Sequence, residues 1–140
     1  MKTRPYLWAK IIWNMFDFAV DSRNEGDTPG RNDKGMVSYD RKTRKDAFFW
    51  YKANWTDTPV VYISSRRFAI RTTATVPIKV YSNLDSVVLR VNGATIGAPV
   101  TSTDHIFTWP SVPLNVGANV IETTGTRGTI TAMDTVTWTR

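Results

Sequence analysis

Three observations predict a mainly β fold for this 140-residue chain: an immunoglobulin-like β-sandwich over residues 59–140, preceded by a strand, a loop and a helix over residues 1–58. Beyond Pro59 the chain becomes a series of short Thr/Val-rich segments with alternating apolar and polar residues. Turn signals recur at roughly ten-residue intervals, and about seven such strands in a stretch of this size suit a two-sheet sandwich. Between two alternating runs stands Asn92-Gly93, the pair that a type I′ hairpin favours because both positions need positive φ. Cysteine is absent, so the Cys–Trp–Cys core of an antibody-type domain is excluded and packing alone must hold the fold.

In the first part, residues 6–13 (YLWAKIIW) read as a strand that is short, aromatic and β-branched, with Lys10 its only charge. Apolar on both faces, it would belong in a sheet covered on both sides. Residues 17–38 form a polar loop punctuated by Gly26, Pro29, Gly30 and Gly35. A short strand from Met36 to Tyr39 follows. Asp40 then offers a helix cap, and residues 43–54 read as a helix. Five apolar residues in a row, Ala47 to Tyr51, cover most of its circumference, so it must pack on more than one side. In the second part the expected strands are 60–67, 76–82, 86–92, 94–98, 105–109, 118–124 and 129–138. Val76, Ile78 and Val80 would share one face, as would Val87, Leu89 and Val91. Asn115-Val116-Gly117 and Gly125-Thr126-Arg127-Gly128 mark further turns.

Composition narrows the chemistry. The net charge of +6 is evenly spread: residues 1–58 carry 11 basic and 8 acidic side chains, and residues 59–140 carry 7 and 4. With no basic stripe and no nucleic-acid motif, the charge reads as solvated surface, including the run Arg41-Lys42-Thr43-Arg44-Lys45, and no nucleic acid is expected as a partner. No apolar run reaches membrane-spanning length, and the basic-then-apolar N-terminus lacks the small-residue site of a signal peptide. Without cysteine, and with His105 the one histidine, thiolate and multi-histidine metal sites are excluded; neither a metal nor a cofactor is expected. Asp21, Asn24, Glu25 and Asp27 could offer oxygen ligands, but their order fails the EF-hand pattern.

Glycosidases use a pair of carboxylates flanking the scissile bond. Glu25 and Glu122 are the two glutamates, and they fall in different parts of the chain. Asp17, Asp21, Asp27 and Asp33 sit close in sequence, in a loop where aspartates commonly serve turns and caps. His105 has no Gly-x-Ser-x-Gly partner. No catalytic residue is therefore assigned. Trp13 is the stronger candidate, since an indole face stacks on the C–H face of a sugar ring, although from the pattern alone a core tryptophan is the commoner reading. Asn32 and Lys34 suit either a clamp on sugar hydroxyls or a loop brace.

The run WNMFDFAVDSRNEGDTPGRNDKGMVSYDRKTRKDAFFWYKANW, with VPIKVYSNLDSVVLRVNG after it, resembles the end of the catalytic barrel and the next immunoglobulin-like domain of glycoside hydrolase family 2 enzymes, bacterial β-galactosidases especially. The resemblance extends over essentially the whole chain. It implies that residues 6–13 are the eighth strand of a (β/α)8 barrel, 14–35 its βα loop and 43–54 its eighth helix, with 59–140 as the sandwich. Barrel active sites lie on the βα loops, so a β-galactoside-type sugar is the implied ligand. Trp13 matches the family's tryptophan at the end of that strand, and Asp17 an acid just after it. Asn32-x-Lys34 is similar to a motif that contacts the substrate carboxylate in family glucuronidases, while related galactosidases share Asn-Asp-Lys-Gly. The family's two catalytic glutamates lie on earlier strands, so the chain is expected to be inactive by itself. Parent enzymes are often exported in bacteria; the chain's own location is not implied. A stand-alone module binding carbohydrate or protein is the other expectation. With barrel neighbours absent, the aromatic strand and helix also imply a homo-oligomer.

Overall fold

The computed structural model describes residues 4–9, 11–24 and 28–140, in two compact units, Met1–Phe48 and Phe49–Arg140. In the first unit, β1 (Phe18–Ala19) and β2 (Arg31–Asn32) form a short antiparallel ribbon, with Phe18 opposite Asn32 and Ala19 opposite Arg31. Helix α1 (Asp46–Trp55) begins in this unit and runs into the second.

The second unit contains β3 (Val61–Ile63), β4 (Thr75–Ser82), β5 (Ser86–Val91), β6 (Ala94–Thr95), β7 (Val100–Thr101), β8 (Ile106–Pro113), β9 (Ala118–Arg127) and β10 (Ile130–Thr139). One sheet has the order β3-β4-β8. The other runs β10-β9-β5-β6, with β7 also paired to β5. Every pairing between these strands is antiparallel, the arrangement of a sandwich built from hairpins. The alternation expected from sequence fills the core: Val76, Ile78 and Val80, with Phe107 and Trp109 of the same sheet, cluster with Val87, Leu89, Val91, Ile121 and Trp138 from the other.

Local chemistry sets the turns and irregularities. Asn92 and Gly93 have φ of 52° and 81°, the two positive angles of the expected hairpin between β5 and β6. The register of β4 on β8 slips between Val76 and Ile78, where Pro77 and Pro110 lie; neither can donate to a ladder, and a bulge is where a strand tolerates proline. Fully buried Asn119 locks the 115–117 turn by donating to the carbonyls of Asn115 (2.8 Å) and Gly117 (3.0 Å) and accepting from the Asn115 N–H (2.8 Å).

The two sheets are joined along one seam by Asp134 of β10. Its carboxylate accepts from the Ile63 N–H at 2.7 Å and from the Arg66 guanidinium, which also lies 4.6 Å over the Tyr62 ring. Tyr62 in turn stacks on Phe49 of α1 at 3.7 Å, and Trp50 donates to the Asp104 carbonyl at 3.3 Å, which places the helix on the sandwich it precedes. Asn83 ties down the chain between them. Its Oδ1 accepts from the Val60 N–H, and its Nδ2 donates to the carbonyls of Thr56 and Thr58, each at 2.8 Å. Asn83→Ala is expected to lose about 2 kcal/mol, because it strands buried backbone groups. Thermal denaturation should show a melting temperature about 10 °C lower; an unchanged value would count against this clamp.

Several expected elements differ. Residues 6–13 form no strand among the described positions 4–9 and 11–13. Strand character in that run rests on apolar side chains, but a strand also needs a neighbour to pair with, and the described residues offer none. Residues 36–39 contribute only single bridges from Val37 to Phe16 and Arg44, not a strand. The helix begins at Asp46 rather than Thr43, because Asp40 caps a turn instead: it accepts from the Ser38 hydroxyl at 2.6 Å and the Lys42 N–H at 3.1 Å. The 125–128 turn is displaced as well. Strand β9 continues through Gly125, whose missing side chain leaves room for Leu84 and Val61; a Cβ there would come within 2.8 Å of each. The reversal falls at Gly128, with φ of 56°.

Candidate functional site

The four residues singled out as sugar-site candidates, Trp13, Asp17, Asn32 and Lys34, all lie in the first unit, around the β1–β2 ribbon. Trp13 is 72% exposed, and its ring meets Phe18 edge-on at 6.0 Å. Phe18 is the register partner of Asn32, so the ribbon brings Trp13 and the Asn32 turn to one region. The Trp13–Asn14 peptide bond is cis.

Asn32 is 4% exposed, and its Oδ1 accepts from the Lys34 N–H at 2.9 Å, which folds Asn32-Asp33-Lys34-Gly35 into a side-chain-closed turn. That bond commits one of the amide's polar atoms to the backbone. Lys34 is exposed at the apex of the turn.

Asp17 is also 4% exposed and holds the turn from behind. Its Oδ1 accepts from the Gly35 N–H at 2.8 Å and from Lys45 Nζ at 2.7 Å. Its backbone N–H donates to the Val37 carbonyl (2.9 Å), and its own carbonyl accepts from Arg41 (2.8 Å). The carboxylate is therefore the inner brace of the turn. Gly35 is the only residue type that fits beside it, since a Cβ would lie 2.2 Å from both the Asp17 nitrogen and the Phe16 carbonyl carbon.

Two residues that sequence reasoning placed on a solvated surface prove to be bonded into this turn, although Arg41 keeps much of its surface exposed. Lys45 also donates to the Asp33 carbonyl at 2.5 Å, and its side chain is 19% exposed. Arg41, at φ of 65°, donates to the carbonyls of Asp17 and Tyr39 and lies 4.3 Å over the Phe16 ring. A basic run gives no indication of which of its members turn inward; the buried Asp17 that attracts them is 28 residues from Lys45 in sequence. Nearby, Asp40 is held below the ordinary carboxyl range, first by the Ser38 hydroxyl and then by the Lys42 N–H.

The remaining candidates are not assembled into a site. Asp21 and Asn24 are exposed, Glu25 and Asp27 lie outside the described residues, and among the described residues no three acidic or histidine side chains gather as metal ligands. His105 sits at φ of 63° with Nδ1 3.0 Å from the Ser82 carbonyl. Among the described residues, no helix is long and apolar enough to cross a membrane.

Comparison with known proteins gives a consistent pattern. Residues 73–132 match a domain of unknown function, DUF4982. A β-glucuronidase of Bacteroides fragilis is 41% identical over 122 residues, which are 86% of this chain and 18% of that protein. The crystal structure of an FMN-binding β-glucuronidase from Facaelibacterium prausnitzii L2-6 superposes with a TM-score of 0.88 at 43% identity, covering 99% of this chain and 20% of that one. A Bacteroides fragilis protein assigned as a β-galactosidase gives a TM-score of 0.84 at 38% identity, over 91% of this chain and 19% of its own. The chain thus spans about a fifth of the length of these relatives.

Proposed function

We propose that this chain, which resembles part of the glycoside hydrolase family 2 β-glucuronidases and β-galactosidases along nearly its whole length, supplies one wall of a β-glycoside site together with an accessory sandwich. On this reading residues 1–58 are the terminal strand, loop and helix of a barrel, and residues 59–140 the immunoglobulin-like module. One observation carries the reading. The Asn32–Gly35 turn is fixed from behind by Asp17, and the same ribbon leaves the indole of Trp13 open to solvent. A rigid polar turn and an exposed indole are the two components that orient a sugar ring, one bonding its edge groups and the other stacking on its C–H face. Asn32 and Lys34 are the proposed edge contacts, Trp13 is the platform, and Asp17 acts through the turn it holds.

The chain by itself performs no hydrolysis on this proposal. Its two glutamates, Glu25 and Glu122, are far apart in sequence, and Glu122 stands on β9 of the sandwich, opposite Arg90 and Thr135. Hydrolysis with either stereochemical outcome needs two carboxyl groups within about 10 Å of each other. The exposure of Trp8 (96%) and Ile11 (91%) supports self-association of the isolated chain, because burial of such surface is favourable.

Purified chain is expected to bind methyl β-glycosides weakly and saturably, to lose at least about tenfold in affinity in Trp13→Ala, and to leave nitrophenyl glycosides intact. Turnover that is abolished by a substitution in this chain would overturn the non-catalytic assignment. Binding unchanged in Trp13→Ala would overturn the sugar wall, and a clean monomer by light scattering at high concentration would remove self-association.

A further inference from the structure

We propose that Lys45 is the positioning residue of the sugar-contact turn, and that through the turn it sets the preference for an acidic over a neutral sugar. This rests on the reading of Asn32 and Lys34 as sugar contacts. The ammonium grips the turn at two points. It donates directly to the carbonyl of Asp33, at 2.5 Å, and to Asp17 Oδ1, at 2.7 Å. That same oxygen receives the N–H of Gly35 at 2.8 Å. The peptide groups on either side of Lys34 are thereby tied to one cation, while Asn32 closes the turn from the other end at the Lys34 N–H.

The arrangement is buried enough to be strong. The side chain of Asp17 is 6% exposed and that of Lys45 19%, and charge-assisted bonds in such surroundings are shorter and stronger than neutral ones. Lys45 is itself anchored, since its N–H donates to the Met36 carbonyl at 2.8 Å and its carbonyl accepts from the Phe48 N–H at 3.0 Å at the start of α1. Lys45 is thus held from two sides, by the Met36 carbonyl and by the first turn of α1. Lys34, at the apex, points its backbone wherever this clamp directs. A displacement of about 1 Å suffices to lose a bidentate or charge-assisted contact with a ligand carboxylate.

The test uses the full chain with methyl β-D-glucuronide and methyl β-D-galactoside as probes. Lys45→Met is expected to accelerate hydrogen exchange at the Gly35 amide at least about tenfold and to lower the glucuronide-to-galactoside affinity ratio about tenfold, the worth of one charge-assisted hydrogen bond. Amides of the sandwich, such as Leu89, should keep their protection. Lys45→Arg retains a cation and should restore part of the ratio. Arg44→Met removes the same charge one residue away and should leave the ratio intact. A merely structural role would weaken both glycosides alike, with no change in the ratio. An unaltered ratio in Lys45→Met, or an equal fall in Arg44→Met, would overturn the proposal. Unchanged binding of both sugars in Lys34→Ala would instead overturn the underlying sugar reading, and the specificity role with it.

Discussion

Gly35→Ala is expected to abolish the folded first unit while sparing the sandwich. The added Cβ would lie 2.2 Å from the nitrogen of Asp17 and 2.2 Å from the carbonyl carbon of Phe16, and 2.7 Å from Asp17 Oδ1. Two of these three are backbone atoms, so no side-chain rotation relieves the overlap. That backbone is itself pinned, because Phe16 bridges to Val37 and the Asp17 N–H bonds the Val37 carbonyl at 2.9 Å. Relief would require Asp17 to move and release Gly35, Lys45 and Arg41 together. The cost should exceed about 4 kcal/mol, the exceptional class of single substitutions and comparable to the whole stability of a small unit. Two-dimensional amide spectra should lose the dispersed signals of residues 14–24 and 28–45 and retain those of Val87, Leu89 and Ile121. A native-like spectrum throughout would show that the unit tolerates a side chain at position 35.

Trp138→Ala should have the largest effect in the sandwich. Trp138 is the largest fully buried side chain, 1% exposed, and the Arg71 guanidinium lies 3.8 Å over its ring. Its removal forfeits burial and leaves a cavity, together worth about 3–5 kcal/mol, and it leaves Arg71 without its aromatic partner. The backbone around Arg71 is bonded to the same stretch of β10, with the Arg71 N–H donating to the Thr139 carbonyl at 2.7 Å, so the loss reaches the edge of the sheet. Melting temperature should fall by about 20 °C. Trp138→Phe separates the causes. The Trp138 indole N–H has no hydrogen-bond partner among the described residues, so phenylalanine gives up volume without breaking a bond. Its loss should stay near about 1–2 kcal/mol; equal losses for the two variants would place the energy elsewhere than in packing.

The sandwich was legible because each of its signals is local. The alternation at Val76, Ile78 and Val80, the Asn92-Gly93 pair and the Asn115–Gly117 turn all report backbone or burial preferences within a few residues. Gly125 misled for a related reason: a glycine signals either a turn or a close approach, and Leu84 and Val61, which decide between them, are distant in sequence. Residues 6–13 misled differently. Their composition describes the environment they suit, while a strand forms only where a partner offers hydrogen bonds. In the candidate site, Trp13, Asn32 and Lys34 could be named from residue type and spacing. The brace of Asp17, Gly35 and Lys45 could not, because it is formed by a main-chain to side-chain bond spanning 18 residues and an ion pair spanning 28.

By itself, then, the sequence determined the β class, the hairpin positions, the alternating core and the neighbourhood of the polar turn, since these follow from side-chain periodicity and the φ preferences of single residues. Only the tertiary structure decided which charges turn inward, which glycine must remain glycine, and that Asp17 and Lys45 form one clamp. Those outcomes depend on which distant atoms compete for the same few cubic ångströms and the same lone pairs, and residue order alone does not express that competition.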